Sequence, residues 1–94
     1  VVIHNNKASS YGGGISIGGG THVSTNGGKI YIENNIADNG AGVFFCGTGS
    51  QLENAIIYDN YALESGGGIA GVGTLKNSLI TGNIPGIAAS KSET

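Results

Sequence analysis

The sequence predicts an all-β chain wound as a right-handed parallel β-helix of about 3.5 to 4 coils of 23 to 29 residues. Three observations lead there. First, one phrase, Ile-x-x-Asn-x-Ala, recurs as Ile3-His4-Asn5-Asn6-Lys7-Ala8, Ile32-Glu33-Asn34-Asn35-Ile36-Ala37 and Ile57-Tyr58-Asp59-Asn60-Tyr61-Ala62. A fourth copy, Ile80-Thr81-Gly82-Asn83-Ile84-Pro85, loses only its last position, and the shared asparagines are separated by 29, 25 and 23 residues. Second, each of the first three copies is followed by small residues and a β-branched residue: Gly12-Gly13-Gly14-Ile15, Gly40-Ala41-Gly42-Val43 and Gly66-Gly67-Gly68-Ile69. Third, the apolar runs between these corners are short and alternate with period two, and no window carries the i, i+3, i+4, i+7 pattern of a helix.

Coil one spans about 1–28. It opens on the strand Val1-Val2-Ile3, turns at Asn5-Asn6, crosses a polar connection from Lys7 to Tyr11 and turns again at Gly12 to Gly14. Ile15-Ser16-Ile17 and Thr21-His22-Val23 read as its second and third strands, and Ser24 to Gly28 as a polar excursion that makes it the longest coil. Coil two, about 29–54, repeats the plan with Lys29 to Ile32, Val43 to Cys46 and Ser50 to Leu52. Coil three, about 55–77, does so with Ala55 to Ile57, Ile69-Ala70 and Thr74-Leu75. Leu52 and Leu75 each stand five residues before a motif isoleucine, so these two coils are in register. The last coil, about 78–94, replaces the glycine corner by Ile84-Pro85-Gly86-Ile87 and leads into a polar end, 88–94, expected to fray.

Stacking of coils places like residues one strand spacing apart, about 4.8 Å. Ile3, Ile32, Ile57 and Ile80 then form an inward aliphatic column, worth about 1.5–3 kcal/mol per fully buried side chain. Asn6, Asn35, Asn60 and Asn83 form an amide ladder in which each side chain bonds to the next copy. Val2, Tyr31, Ile56 and Leu79 form a second apolar column, and Lys7, Ile36, Tyr61 and Ile84 a third, mostly apolar one. Neighbouring strand residues face opposite sides, so the Ile3 and Val2 columns cannot both point inward. The one that faces out is a candidate contact stripe.

Composition excludes several classes. Nineteen glycines in clusters, 38% hydrophobic and 11% charged residues fit neither collagen nor a charge-driven disordered chain. A formal net charge of −2, with no arginine, argues against a nucleic-acid partner, which needs basic side chains to displace counterions. The longest apolar runs fall far short of the ~20 residues of a membrane-spanning helix. The chain begins without methionine or a signal segment and is expected to be a processed chain or a piece of a longer one, its open first rung covered by flanking coils or by a second copy. Cys46, a lone cysteine, reads as a small buried residue.

The pairing of Ile-x-x-Asn with Gly-Gly-Gly-Ile resembles the Phe-x-x-Asn and Gly-Gly-Ala-Ile repeats of chlamydial-type polymorphic outer-membrane proteins, and more broadly the β-helical passenger domains of autotransporters. Isoleucine replaces the usual phenylalanine here, and the second copy reads Gly40-Ala41-Gly42-Val43. The resemblance implies a secreted or surface-exposed protein of adhesin or structural type, with a host or cell-surface ligand or a carbohydrate as partner.

A carbohydrate-active enzyme is the main rival. Resemblance to pectate lyases would imply an arginine base and clustered aspartates for calcium, whereas this chain has no arginine and only Asp38 and Asp59. Asp38 with Glu64 and Asp59 with Glu33 are the nearest to a carboxylate pair by stacking, and both read as solvated turns. His4 above Glu33 reads as a surface ion pair, and His22 has no comparable partner. Tyr11, Tyr58 and Tyr61 offer ring faces to a sugar. A phosphate-binding Gly-x-x-x-x-Gly-Lys does not occur, and the glycine clusters read as corners. The sequence therefore predicts no catalytic, cofactor or metal residues, and a non-catalytic structural or adhesive segment of an extracellular or cell-surface β-helix, associating with flanking coils or stacking end to end with copies of itself into a filament. The rival is a fragment of a polysaccharide lyase or hydrolase whose catalytic residues lie elsewhere.

Overall fold

A computed structural model describes residues 1–85, 87–88 and 91–93 of the chain, the last two stretches as backbone alone. Its first coil contributes β1 (Val2–His4), β2 (Ile15–Gly18) and β3 (His22–Val23). The second contributes β4 (Ile30–Glu33), β5 (Ile36–Asn39), β6 (Val43–Cys46) and β7 (Gln51–Glu53). The third follows with β8 (Ala55–Tyr58), β9 (Tyr61–Ser65), β10 (Ile69–Gly71) and β11 (Thr74–Lys76). The fourth adds β12 (Leu79–Thr81), β13 (Ile87–Ala88) and β14 (Lys91–Glu93). Corresponding strands of successive coils pair in parallel, giving the sheets β1-β4-β8-β12, β2-β6-β10-β13, β3-β7-β11-β14 and β5-β9. The result is an all-β parallel solenoid of about three turns. Of the polar end expected to fray, the backbone of 91–93 pairs with 74–76, while 89, 90 and 94 lie outside the described residues, as does Gly86 of the last corner.

Register follows the repeat. Ile3 pairs with Ile32, Ile32 with Ile57 and Ile57 with Ile80, and Leu52 with Leu75. Inside the winding, Ile32, Ile57, Val43, Ile69, Leu52 and Leu75 are fully buried, with Ile3 and Ile80 packed against them from the outer rungs. Ala8, Ala37, Ala41 and Ala62 make a separate small cluster beneath the glycine corner.

The sequence gives each coil three strands, but the second and third coils have four. The stretch after the asparagine is not merely a polar connection: Ile36 pairs with Tyr61 and Ala37 with Ala62, and single bridges extend this line to Lys7 and Ile84. The reason is the tightness of the preceding turn. One residue in the left-handed region suffices, Asn5, Asn34, Asp59 and Gly82 with φ of 57°, 53°, 55° and 66°, after which the chain is extended again and can pair. Coil two is one residue shorter between its asparagine and its glycines. The surplus in coil three is taken up as a bulge, with Ala62 opposite Ala37 but Ser65 opposite Asn39.

Cys46 corrects the sequence reading. It is exposed, not buried, because Val43 and Phe45 occupy the inward positions of β6 and the alternation turns Cys46 out.

Candidate functional site: an internal amide ladder and an outward apolar stripe

The ladder is built from both the side chain and the backbone of each asparagine. Asn35 N–H and Nδ2–H both donate to Asn60 Oδ1, each at 2.9 Å. One coil on, Asn60 N–H and Nδ2–H donate to Asn83 Oδ1 at 2.9 and 2.8 Å. One coil back, Asn6 N–H and Nδ2–H donate to Asn35 Oδ1 at 3.0 and 3.1 Å. The second Nδ2–H reaches the opposite way, from Asn35 to Ile3 O at 3.2 Å, from Asn60 to Ile32 O at 3.0 Å and from Asn83 to Ile57 O at 2.9 Å. Each interior amide thus uses both donors and both acceptor positions, so Asn35 and Asn60 are buried at 0 and 1% exposure without an unmet polar group. Asn6 lies exposed on the first rung and Asn83 is half-buried.

A second, outer ladder escaped the sequence reading. Asn77 Nδ2–H donates to Asn54 Oδ1 at 2.7 Å, and Asn54 Nδ2–H to Thr25 Oγ1 at 3.3 Å. Asn54 and Asn77 again take the left-handed turn position, φ 60° and 49°. The signal was present as Leu52-Glu53-Asn54 and Leu75-Lys76-Asn77, with Val23-Ser24-Thr25 as the degenerate first copy.

Val2, Tyr31, Ile56 and Leu79 face outward from the first sheet. Val2, Tyr31 and Leu79 are 55, 38 and 55% exposed, and Ile56 is half-buried between them. The column Lys7, Ile36, Tyr61 and Ile84 also faces out, around the asparagine corner. At the far end of the stripe, Lys29, Ala55, Ile56, Asn77, Ser78 and Leu79 line an open depression of about 290 Å³. Beside the stripe runs a polar row, His4, Glu33, Tyr58 and Thr81, in direct register. Glu33 takes its hydrogen bond from the Tyr58 hydroxyl.

Neither carboxylate pairing weighed from the sequence is a register pair of its sheet. Glu33 sits opposite Tyr58, one residue short of Asp59, which occupies the exposed turn position. Asp38 falls in the bulged stretch, where Asn39 pairs with Ser65 through a Ser65 Oγ–H donated to Asn39 Oδ1 at 2.7 Å. Tyr11 stacks on Phe44 with ring centroids 4.6 Å apart. Among the described residues no group of three or more His, Cys, Asp or Glu is placed to hold a metal ion, and no helix is long and apolar enough to cross a membrane.

Fold and ladder together define a parallel β-solenoid of stacking repeats. No family model, curated protein or solved structure matches the chain.

Proposed function

We propose that this chain is a non-catalytic structural or adhesive segment of an extracellular or cell-surface β-helix protein, of the kind the polymorphic outer-membrane and autotransporter repeats suggest. The observation that carries this reading is the division of labour between the two faces of one sheet. The inward face is filled by isoleucines, beside the amide ladder at the adjoining corner, while the outward face presents an apolar stripe across four rungs, Val2, Tyr31, Ile56 and Leu79. Such a stripe marks a contact surface. The partner is a flanking coil, a second copy, or a surface ligand or carbohydrate.

End-to-end association has its own support, because every rung offers the next the same row of backbone and amide groups. Light scattering and electron microscopy of the purified chain test it, and a monomer with an intact β-sheet signal removes the filament version. Incubation with a panel of acidic polysaccharides tests the rival. New unsaturated or reducing ends would replace the adhesive reading with that of a carbohydrate-active fragment.

A further inference from the structure

We infer that Asn26 is a site of spontaneous covalent modification, converting to aspartate and isoaspartate through a cyclic imide formed with Gly27. Two Asn-Gly pairs occur in the chain, Asn26-Gly27 and Asn39-Gly40, and the fold treats them oppositely.

Asn26 and Gly27 lie in the connection between β3 and β4, where both are exposed. A Cβ placed on Gly27 or Gly28 would meet no atom within 4 Å. The Thr25 hydroxyl donates to Gly28 O and closes a turn around the pair, and Asn54 anchors Thr25 from the next coil. Neither bond engages the Asn26 amide or Gly27 N–H, which have no hydrogen-bond partner among the described residues. Gly27 carries no side chain to shield its nitrogen, and its φ of +97° is open to glycine alone.

The reaction needs only water. The Gly27 amide nitrogen gives up its proton to solvent and attacks Asn26 Cγ. The new N–Cγ bond closes a five-membered imide as the Cγ–Nδ2 bond breaks, and Nδ2 leaves as ammonia with a proton from water. One water then opens the ring at either carbonyl and the nitrogen regains its proton, giving aspartate or isoaspartate. The product adds one negative charge to a formal net of −2. It does so in the stretch between two strands, where an extra backbone atom disturbs no rung.

At Asn39-Gly40 each of these openings is closed. Asn39 N–H donates to Ser10 O at 2.9 Å, Gly40 N–H donates to Ser65 O at 3.1 Å, and Asn39 Oδ1 accepts from Ser65 Oγ at 2.7 Å. The nitrogens that follow Asn35, Asn60 and Asn83 are likewise tied, Ile36 N–H to Asn6 O and Tyr61 N–H to Asn35 O at 2.9 Å and Ile84 N–H to Asn60 O at 3.0 Å. Attack at any of them requires local opening of the rungs.

Incubating the folded chain at mildly alkaline pH, with peptide mapping by mass spectrometry and enzymatic isoaspartate labelling, tests the assignment. Asn26 is expected to convert first, at a rate that rises with pH. Conversion at Asn39 should be slower by about a hundredfold, the suppression imposed by opening against a few kcal/mol. In denaturant the two pairs should react at similar rates, and Asn26→Ala should remove the early product without shifting the melting temperature. Equal rates at Asn26 and Asn39 in the folded chain would overturn the inference, as would an Asn26 that stays intact when folded yet reacts in denaturant.

Discussion

Gly42 of the second coil lies directly against Asn60 of the third. A Cβ at Gly42 would stand 2.9 Å from Asn60 Nδ2, 2.8 Å from Ile57 Cγ2 and 2.6 Å from Gly68 O. The same relation joins Gly14 to Asn35 and Ile32, and Gly68 to Asn83 and Ile80. This explains why the two halves of the repeat travel together in the sequence: the third corner position has to be bare because the next coil's asparagine and isoleucine fill its place.

Gly42→Ala is therefore expected to destabilise the chain by about 1–3 kcal/mol, as overpacking of a close-fitting interior does. Backbone Gly68 O cannot withdraw without breaking its bond from Val43 N–H, 2.8 Å. Gly28→Ala, where a Cβ meets nothing, should be neutral or raise stability by up to about 1 kcal/mol by restricting the unfolded chain. Urea denaturation of the two variants checks the contrast.

Asn60→Ala removes the acceptor of two donors, Asn35 N–H and Asn35 Nδ2–H, and leaves both inside the winding. At about 1–3 kcal/mol for each buried donor left unmet, the loss should be about 3 kcal/mol or more. Asn26→Ala, in the exposed connection, should change stability by less than about 0.5 kcal/mol. Equal melting temperatures would count against the ladder as a source of stability.

Asn60→Asp keeps the shape but sets an acidic group against two acceptors, Ile32 O and Asn83 Oδ1. The two Asn35 donors at the retained oxygen favour the charged form, but burial and the two facing oxygens oppose it, and the introduced carboxyl is expected to stay above the usual carboxylate range. A folded-state pKa above the unfolded one gives stability that is fully present below the unfolded value and is lost as pH rises through the folded one. The variant should therefore melt progressively lower as pH rises toward neutral, relative to the parent chain followed in parallel by circular dichroism.

Period, strand pairing and the inward isoleucines were legible because stacking writes the same residue at the same place in each coil. What the sequence left open depended on contacts between coils. Cys46 could be placed outside only once Phe45 was known to point in, a matter of phase that a four-residue strand does not fix. Strand β5 exists because Ile36 meets Tyr61 one coil away, and nothing local in Ile36 to Asn39 demands it. Asn54 and Asn77 were hidden for another reason: their first-coil counterpart is Thr25, so the column changes residue type after one copy. The stripe's direction was left as a choice between two columns, because Val2 and Ile3 are equally apolar.

Gly73 is expected to be constrained by one neighbour. A Cβ there would fall within the Phe45 ring, which crosses from the coil before. Gly73→Ala alone should cost about 1–3 kcal/mol. Combined with Phe45→Leu, which withdraws the ring, it should cost less than the sum of the two single changes, with a coupling of about 0.5–3 kcal/mol in denaturant midpoints. Strict additivity would mean that the two positions do not meet.

Ile56 and Ile57 are adjacent on one strand and face opposite worlds, the first half-buried on the outer stripe and the second at 0% exposure in the core. Ile57→Ala should cost about 2–5 kcal/mol, the range for emptying a packed aliphatic site. Ile56→Lys should leave a cooperative transition in place, since a lysine stem can lie along the sheet with its charge in water. That tolerance makes Ile56 the position at which stability and contact can be separated. If the stripe is an adhesive surface, Tyr31→Lys with Ile56→Lys should keep the β-sheet signal of the parent and weaken its association, read as reduced light scattering by the purified chain or reduced binding of protein-coated beads to cell surfaces. A variant that stays folded and associates like the parent would show that the apolar stripe is not where contact is made.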